Sequence, residues 1–263
     1  MSETVIRLSA FLGILVLCGA AEFLFPRRAR VFSRAQRWLT NLTFGVLGTI
    51  AVRLLGPLTA VATAIWAAQS GWGVLNQLSL PSWMSLIIAV LLLDLAIYAQ
   101  HWATHKVPVL WRLHKVHHTD RDIDVTTALR FHPIEIALSM LYKCALVLAL
   151  GPSAAAVILF EVILNGTAMF NHANLRLPLW LDRVMRIFIV TPDMHRVHHS
   201  VVPGETHSNF GFSLSVWDRV FKTYKAQPQA GHEEMIIGLP AYQSSRPTRI
   251  GWSLILPFQR SQD

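Results

Sequence analysis

Long apolar runs, broken by short polar and basic stretches, dominate the chain. Residues 5–25 carry only two charges, Arg7 and Glu22. That length crosses the hydrocarbon core of a bilayer as a helix. Arg27, Arg28, Arg30, Arg34 and Arg37 follow at once. By the positive-inside rule they mark the cytoplasmic side and put the N-terminus outside. The low-charge start and the lack of a small-residue cleavage site argue against a removed signal peptide. Residues 38–93 carry one charge, Arg53, and are too long for one helix. The pattern predicts a span over 40–67 kinked at Gly56-Pro57, an outer loop near 69–81, and a second span over 83–104.

Residues 106–134 are polar and basic, hence cytoplasmic. Residues 135–150 and 153–171 are apolar, each short for a full crossing, and meet at Gly151-Pro152. They predict a tight helical hairpin that returns to the side it left, with Lys143 and Glu161 turned inward. Residues 179–190 are amphipathic and suit the membrane interface. The expected fold is all-α and integral to the membrane. It has about three spanning helices plus the hairpin, under a cytosolic histidine-rich cap. Residues 1–263 read as a single membrane domain, with N-terminal helices over 1–90, a core over 91–225 and a tail over 226–263.

Composition agrees. The chain is 53% hydrophobic with only 14% charged residues, against ~25% in soluble domains, and its mean hydropathy is +0.42. The net charge of +8 lies in residues that flank apolar segments, so it argues for membrane topology and against nucleic acid. Cys18 and Cys144 sit singly in apolar runs and form no thiolate metal motif.

Histidine changes the picture, with 12 in 263 residues. His101-Trp-Ala-Thr-His105 is HxxxH. His114-Lys-Val-His117-His118 and His195-Arg-Val-His198-His199 are both HxxHH, and His172 stands between them in Phe-Asn-His-Ala-Asn. Positions i, i+3 and i+4 share a helix face, so each box is expected to offer two or three imidazoles to one point. The nine candidate ligands are His101, His105, His114, His117, His118, His172, His195, His198 and His199. A zinc ion takes about three or four protein ligands, so nine suit two ions. Imidazole alone does not choose between iron, zinc, copper and nickel.

HxxxH, HxxHH and HxxHH in this order, at the ends of membrane helices, resemble the fatty acid hydroxylase and sterol desaturase superfamily. The likeness runs from about Asp94 to Tyr224. It includes Arg-Phe-His-Pro-Ile-Glu at 130–135, Asn-His-Ala-Asn at 171–174, and the Ser-Asn-Phe-Gly-Phe and Trp-Asp-Arg-Val-Phe stretches of 208–221. The resemblance implies two iron ions as a di-iron centre, O2 as co-substrate, and a C–H bond of a membrane lipid as the target of hydroxylation or desaturation. Some related hydroxylases carry a histidine four residues after the one matching His172. Here that position is Arg176.

Four further residues are expected to support the ligands. Asp94, seven residues before His101 on the same face, is expected to hydrogen-bond a ligand imidazole. His132 is expected to close the site, with Glu135 pairing either Arg130 or a ligand histidine. Asn174 and Asn209 are candidates to hydrogen-bond near the metals. His207 reads as nearby but not a ligand, and His232 as a solvated tail residue.

No side chain needs to act as a nucleophile in such chemistry. The chain has no GxGxxG fingerprint and no cysteine cluster, so its two electrons are expected from a separate ferredoxin- or cytochrome-type donor and its reductase. Two other classes remain open at this point. A membrane zinc hydrolase would want an HExxH-like carboxylate base, which does not occur. A metal transporter or haem carrier would place polar residues along midplane helices, or need only two axial histidines.

Overall fold

The computed structural model describes residues 3–259. Its first helix, α1 (Glu3–Leu24), ends where the arginine cluster begins. Ser33 caps α2 (Arg34–Leu54), and Gly56, with φ of 65°, and Pro57 then break the chain before α3 (Ala60–Gln69). The single span expected over 40–67 is therefore two helices. Gly56 adopts a left-handed turn and Pro57 has no amide hydrogen to continue the ladder. A short α4 (Val74–Gln77) leads to α5 (Ser82–Lys106), which carries His101 and His105 on its last turns. Pro108 opens α6 (Pro108–His118), where a proline costs no helical hydrogen bond.

A 3-10 turn at Val125–Leu129 precedes α7 (Pro133–Leu150), capped by the His132 side chain, and Ser153 caps α8 (Ala154–His172). α9 (Leu179–Met185) and α10 (Pro192–His198) complete the histidine end. Four helices, α1, α5, α7 and α8, are long and apolar enough to cross a membrane. The hairpin arms that looked short are thus helices of 18 and 19 residues, or about 28 Å, close to the thickness of the hydrocarbon core. The fold is all-α and integral to the membrane, and no strand longer than an isolated bridge occurs among the described residues.

Two devices hold the bundle. At one end the α7–α8 turn at Gly151, φ 66°, packs on Gly73. A Cβ on Gly73 would lie 2.2 Å from the Gly151 nitrogen, so neither position accepts a side chain. α3 and α5 pack against both hairpin arms, and the Lys143–Glu161 ion pair of 2.7 Å bridges the arms.

The opposite end is held by polar contacts. Glu22, fully buried, accepts the backbone N–H of Val125 and of Asn174, both at 3.0 Å, and so ties α1 to the histidine layer. Arg37 grips Asp120 through Nε at 2.8 Å and Nη2 at 2.7 Å and also pairs with Asp124. Against the upward push of burial, Arg37 holds the Asp120 carboxyl well below the usual carboxylate range. The C-terminal segment is not a loose tail. Leu239, Tyr242 and Leu256 pack with Phe44 and Val116, and Arg130 donates to the Pro247 carbonyl at 2.8 Å. His232 is likewise buried, 3.6 Å from Asp193, rather than solvated. α9 leaves Leu179, Trp180 and Val184 exposed, as an interfacial helix would.

Candidate metal centre

The eight box histidines and His172 are all buried and converge at one end of the bundle. They form two groups, within each of which the candidate ligand atoms lie no more than 4.8 Å apart. One group is His101, His105, His114, His118 and His198; the other is His117, His172, His195 and His199. The expectation that each HxxHH box faces one point fails. Its i and i+4 members stay together, and the i+3 member crosses to the other group. His114 and His118 join the first group while His117 joins the second; His195 and His199 join the second while His198 joins the first. Adjacent helical residues diverge by about 100°, so His117 and His118 cannot aim at one ion.

The donor set fits bound metal. In the second group Nε2 of His172 lies 3.1 Å from Nε2 of both His117 and His195, and His195 Nε2 lies 3.3 Å from His199 Nε2. Imidazole nitrogens about 2.1 Å from a shared ion would stand roughly 3.0–3.4 Å apart. In the first group Nε2 of His101, His114 and His198, and both nitrogens of His105 and His118, are buried without a hydrogen-bond partner among the described residues. So many orphaned buried nitrogens are costly unless something accepts their lone pairs. Burial first, and neighbouring imidazoles next, hold His117, His118, His195 and His199 well below the usual histidine range. For His198 burial again leads, followed by His101. The same burial favours the neutral form of each ring, the form in which imidazole binds a metal.

The remote ring nitrogens are oriented from behind. His114 Nδ1 lies 2.6 Å from Glu135 Oε1, so Glu135 takes the ligand-histidine alternative, while Arg130 turns to the carbonyls of Val116 and Pro247. Nδ1 of His101 and of His198 reach the carbonyls of Phe210 and Ser208, each at 2.7 Å, and His172 Nδ1 reaches Ala168 O at 2.7 Å. Sequence reasoning missed these carbonyls because a backbone acceptor leaves no residue signature.

The other candidates sit further back. Asp94 touches no imidazole. It accepts from Trp217 Nε1 at 2.8 Å and Leu214 N at 3.3 Å, anchoring the loop whose Phe210 carbonyl meets His101. Asn209, at φ 52°, donates to Met194 O and Lys225 O and braces the same loop. Asn174 bonds the backbone of Arg28. His132 caps α7 and faces Leu254 O at 3.3 Å. His207 lies 5.5 Å from His105, ring to ring, outside both groups. Arg176 lines a basic surface pocket with Arg27, Arg28 and Arg30, away from the histidines. The Arg37–Asp120–Asp124 lock was also missed, although the acid run of 120–124 directly after the second box was its signal.

An all-α membrane bundle with two buried polyhistidine groups at one end defines a membrane histidine-box protein. The family model described as fatty acid hydroxylase matches residues 86–223, and the chain belongs to that family. It is 28% identical over 163 residues to alkylglycerol monooxygenase of Homo sapiens, covering 60% of this chain and 33% of the relative. It is 29% identical over 218 residues to the Xenopus tropicalis protein of the same name, covering 78% and 44%. To the ornithine lipid hydroxylase OlsE of Rhizobium tropici it is 26% identical over 153 residues, covering 57% and 44%. The chain thus spans between a third and under half of the length of these curated relatives. No solved structure matches.

Proposed function

We propose that this chain is a membrane-bound oxygenase in which the two histidine groups hold two iron ions and O2 oxidises a C–H bond of a membrane lipid. The observation that carries the reading is the division of nine buried imidazoles into neighbouring groups of five and four. One ion cannot use them all. When bound, the metal pair would pass the donor's two electrons to O2 and so activate it for attack on an unactivated C–H bond. The protein does the rest. His101, His105, His114, His118 and His198 hold one ion, and His117, His172, His195 and His199 hold the other. Glu135 and the carbonyls of Phe210, Ser208 and Ala168 fix the ring orientations. Phe131, stacked on His117 at 4.3 Å, and Trp111, 5.0 Å from His105, keep water from the rings.

Hydroxylation is favoured over desaturation because the relatives are named monooxygenase and hydroxylase. A lipid carrying an alkyl chain on a polar head is the substrate class, in line with the alkylglycerol of those names. Two electrons come from a separate ferredoxin- or cytochrome-type donor. The arginines after α1 favour a cytoplasmic position for the site, the side from which such a donor would dock. The test is metal analysis of the purified protein together with lipid mass spectrometry of cells with and without it. About two irons per chain and an O2-dependent gain of one oxygen atom in a lipid are expected. One zinc per chain, a haem absorption band, or an unchanged lipid profile would overturn the reading.

A further inference from the structure

A cleft of about 840 Å3 runs between α1, α2, α7 and α8, within the ~300–1,000 Å3 typical of ligand sites. Half of its wall comes from α1 and α2, which precede the region shared with the family. Its mouth is bordered by Leu8, Leu42 and Val46, all exposed, so it opens sideways onto the apolar surface that faces lipid. Its two ends differ in chemistry. The inner end is apolar, formed by Ala128, Leu129, Phe131 and Met169. Phe131 stacks on His117, and Met169 lies one turn before His172, so this end abuts the four-histidine group.

The outer end carries charge. Glu161 pairs with Arg7 and with Lys143 at 2.7 Å, and Arg7 also pairs with Glu3 at 2.9 Å. These groups lie on α1, α7 and α8, all of membrane-spanning length. Ionisable residues at such depth are costly and mark function unless merely structural. From Glu161 to His172 is 11 residues of one helix, or about 16 Å. That is close to half of the ~30 Å hydrocarbon core, the depth of one leaflet.

We propose that this cleft holds the single unbranched chain of the lipid substrate, its head toward the metals and its last carbons stopped by the Arg7–Glu161–Lys143 cluster. The inference rests on the oxygenase reading and adds a substrate class and a length limit to it. The apolar walls accept the chain laterally from the bilayer. Phe131 lines the cleft and stacks on His117, so the inner end is the end nearest the four-histidine group and receives the carbon to be oxidised. A chain longer than the leaflet depth must intrude on the ion pairs of Glu161, whose buried carboxylate would be left uncompensated.

The test uses the full chain in nanodiscs and a hexadecyl ether of glycerol carrying a diazirine on the last carbon of its chain. After irradiation, label is expected on Arg7, Ala10, Phe11 and Ile14 of α1 and on Glu161, Val162 and Asn165 of α8, which line the cleft. Thr49→Trp, which fills the cleft from α2, is expected to weaken it about tenfold. Label at Phe131 and Met169 would reverse the orientation and overturn the proposal. Label on the outward residues Leu12, Val16 and Leu17 would overturn the site itself, and competition by cholesterol as strong as by hexadecylglycerol would overturn the chain class. Replacing Lys143 and Glu161 together by Met leaves Arg7 paired with Glu3. It is expected to shift competition toward an eicosyl ether, and unchanged selectivity would overturn the length stop. Labelling needs neither metal nor turnover and is repeated on His117→Ala. For the wild-type chain, cleft labelling without any lipid product refutes the oxygenase reading alone, whereas product formation with label elsewhere refutes the cleft alone.

Discussion

The five-histidine and four-histidine groups use the same side chain and hold it by different means. In the five-histidine group, three rings are fixed from behind: His114 by the Glu135 carboxylate, His101 by Phe210 O and His198 by Ser208 O. In the four-histidine group only His172 has such a bond, to Ala168 O. Nδ1 of His117, His195 and His199 has no hydrogen-bond partner among the described residues. Those rings are set by packing, with Phe131 stacked on His117 and His118 stacked on His199 at 4.6 Å. A hydrogen bond fixes rotation and raises ligand basicity, whereas packing fixes position alone. An ion bound by the first group would find its rings more fully preset, whereas one bound by the second would have more of the alignment to do.

The most disruptive way to probe this contrast is to remove one ligand from each group. His198→Ala and His117→Ala should each lower O2-dependent lipid product by more than the ~100-fold that bounds loss of a supporting residue. Membrane insertion should be unchanged, and product retained by both variants would refute the metal assignment. Arg37→Gln comes next, because it strands Asp120 and Asp124 beneath α6, which feeds both groups. Thermal denaturation should show a loss of about 3–5 kcal/mol, the usual result of breaking a buried pair.

Glu135→Gln then tests the contrast directly. Metal affinity of the five-histidine group should fall by about 10–100-fold, and competitive chelation should show the four-histidine group little changed. Equal losses from both groups would show that they do not act separately. Trp217→Phe removes the donor at 2.8 Å from buried Asp94. It should cost about 1.5 kcal/mol in unfolding experiments, with a modest fall in product through the Phe210 loop. His207→Gln lies outside both groups, and its stability should stay within about 0.5 kcal/mol.

The apolar runs announced a membrane bundle, and α1 and α5 lie where the hydropathy places them. The break at Gly56-Pro57 was visible as a kink, but its depth was not, because the left-handed turn that Gly56 adopts leaves no mark in the apolar pattern. The first hairpin arm seemed short because Pro133 and Ile134 open α7 before the apolar count begins, whereas the second arm keeps its length of 19 residues. Asp94 was drawn toward the metals by its helical register, yet its carboxylate is claimed by Trp217, 123 residues away in sequence. Periodicity speaks only about a residue's own helix.

The sequence by itself singled out the nine histidines that the fold gathers at one end of the bundle, since spacing and number are local facts. Only the tertiary structure decided which histidine joins which group. A box sets the directions of its rings about its own axis, roughly 100° apart from one residue to the next. Where each direction ends depends on the placement of α5, α6, α8 and α10 around the site. Those positions come from contacts such as Arg37–Asp120 and Glu22–Val125 that join segments distant in the chain.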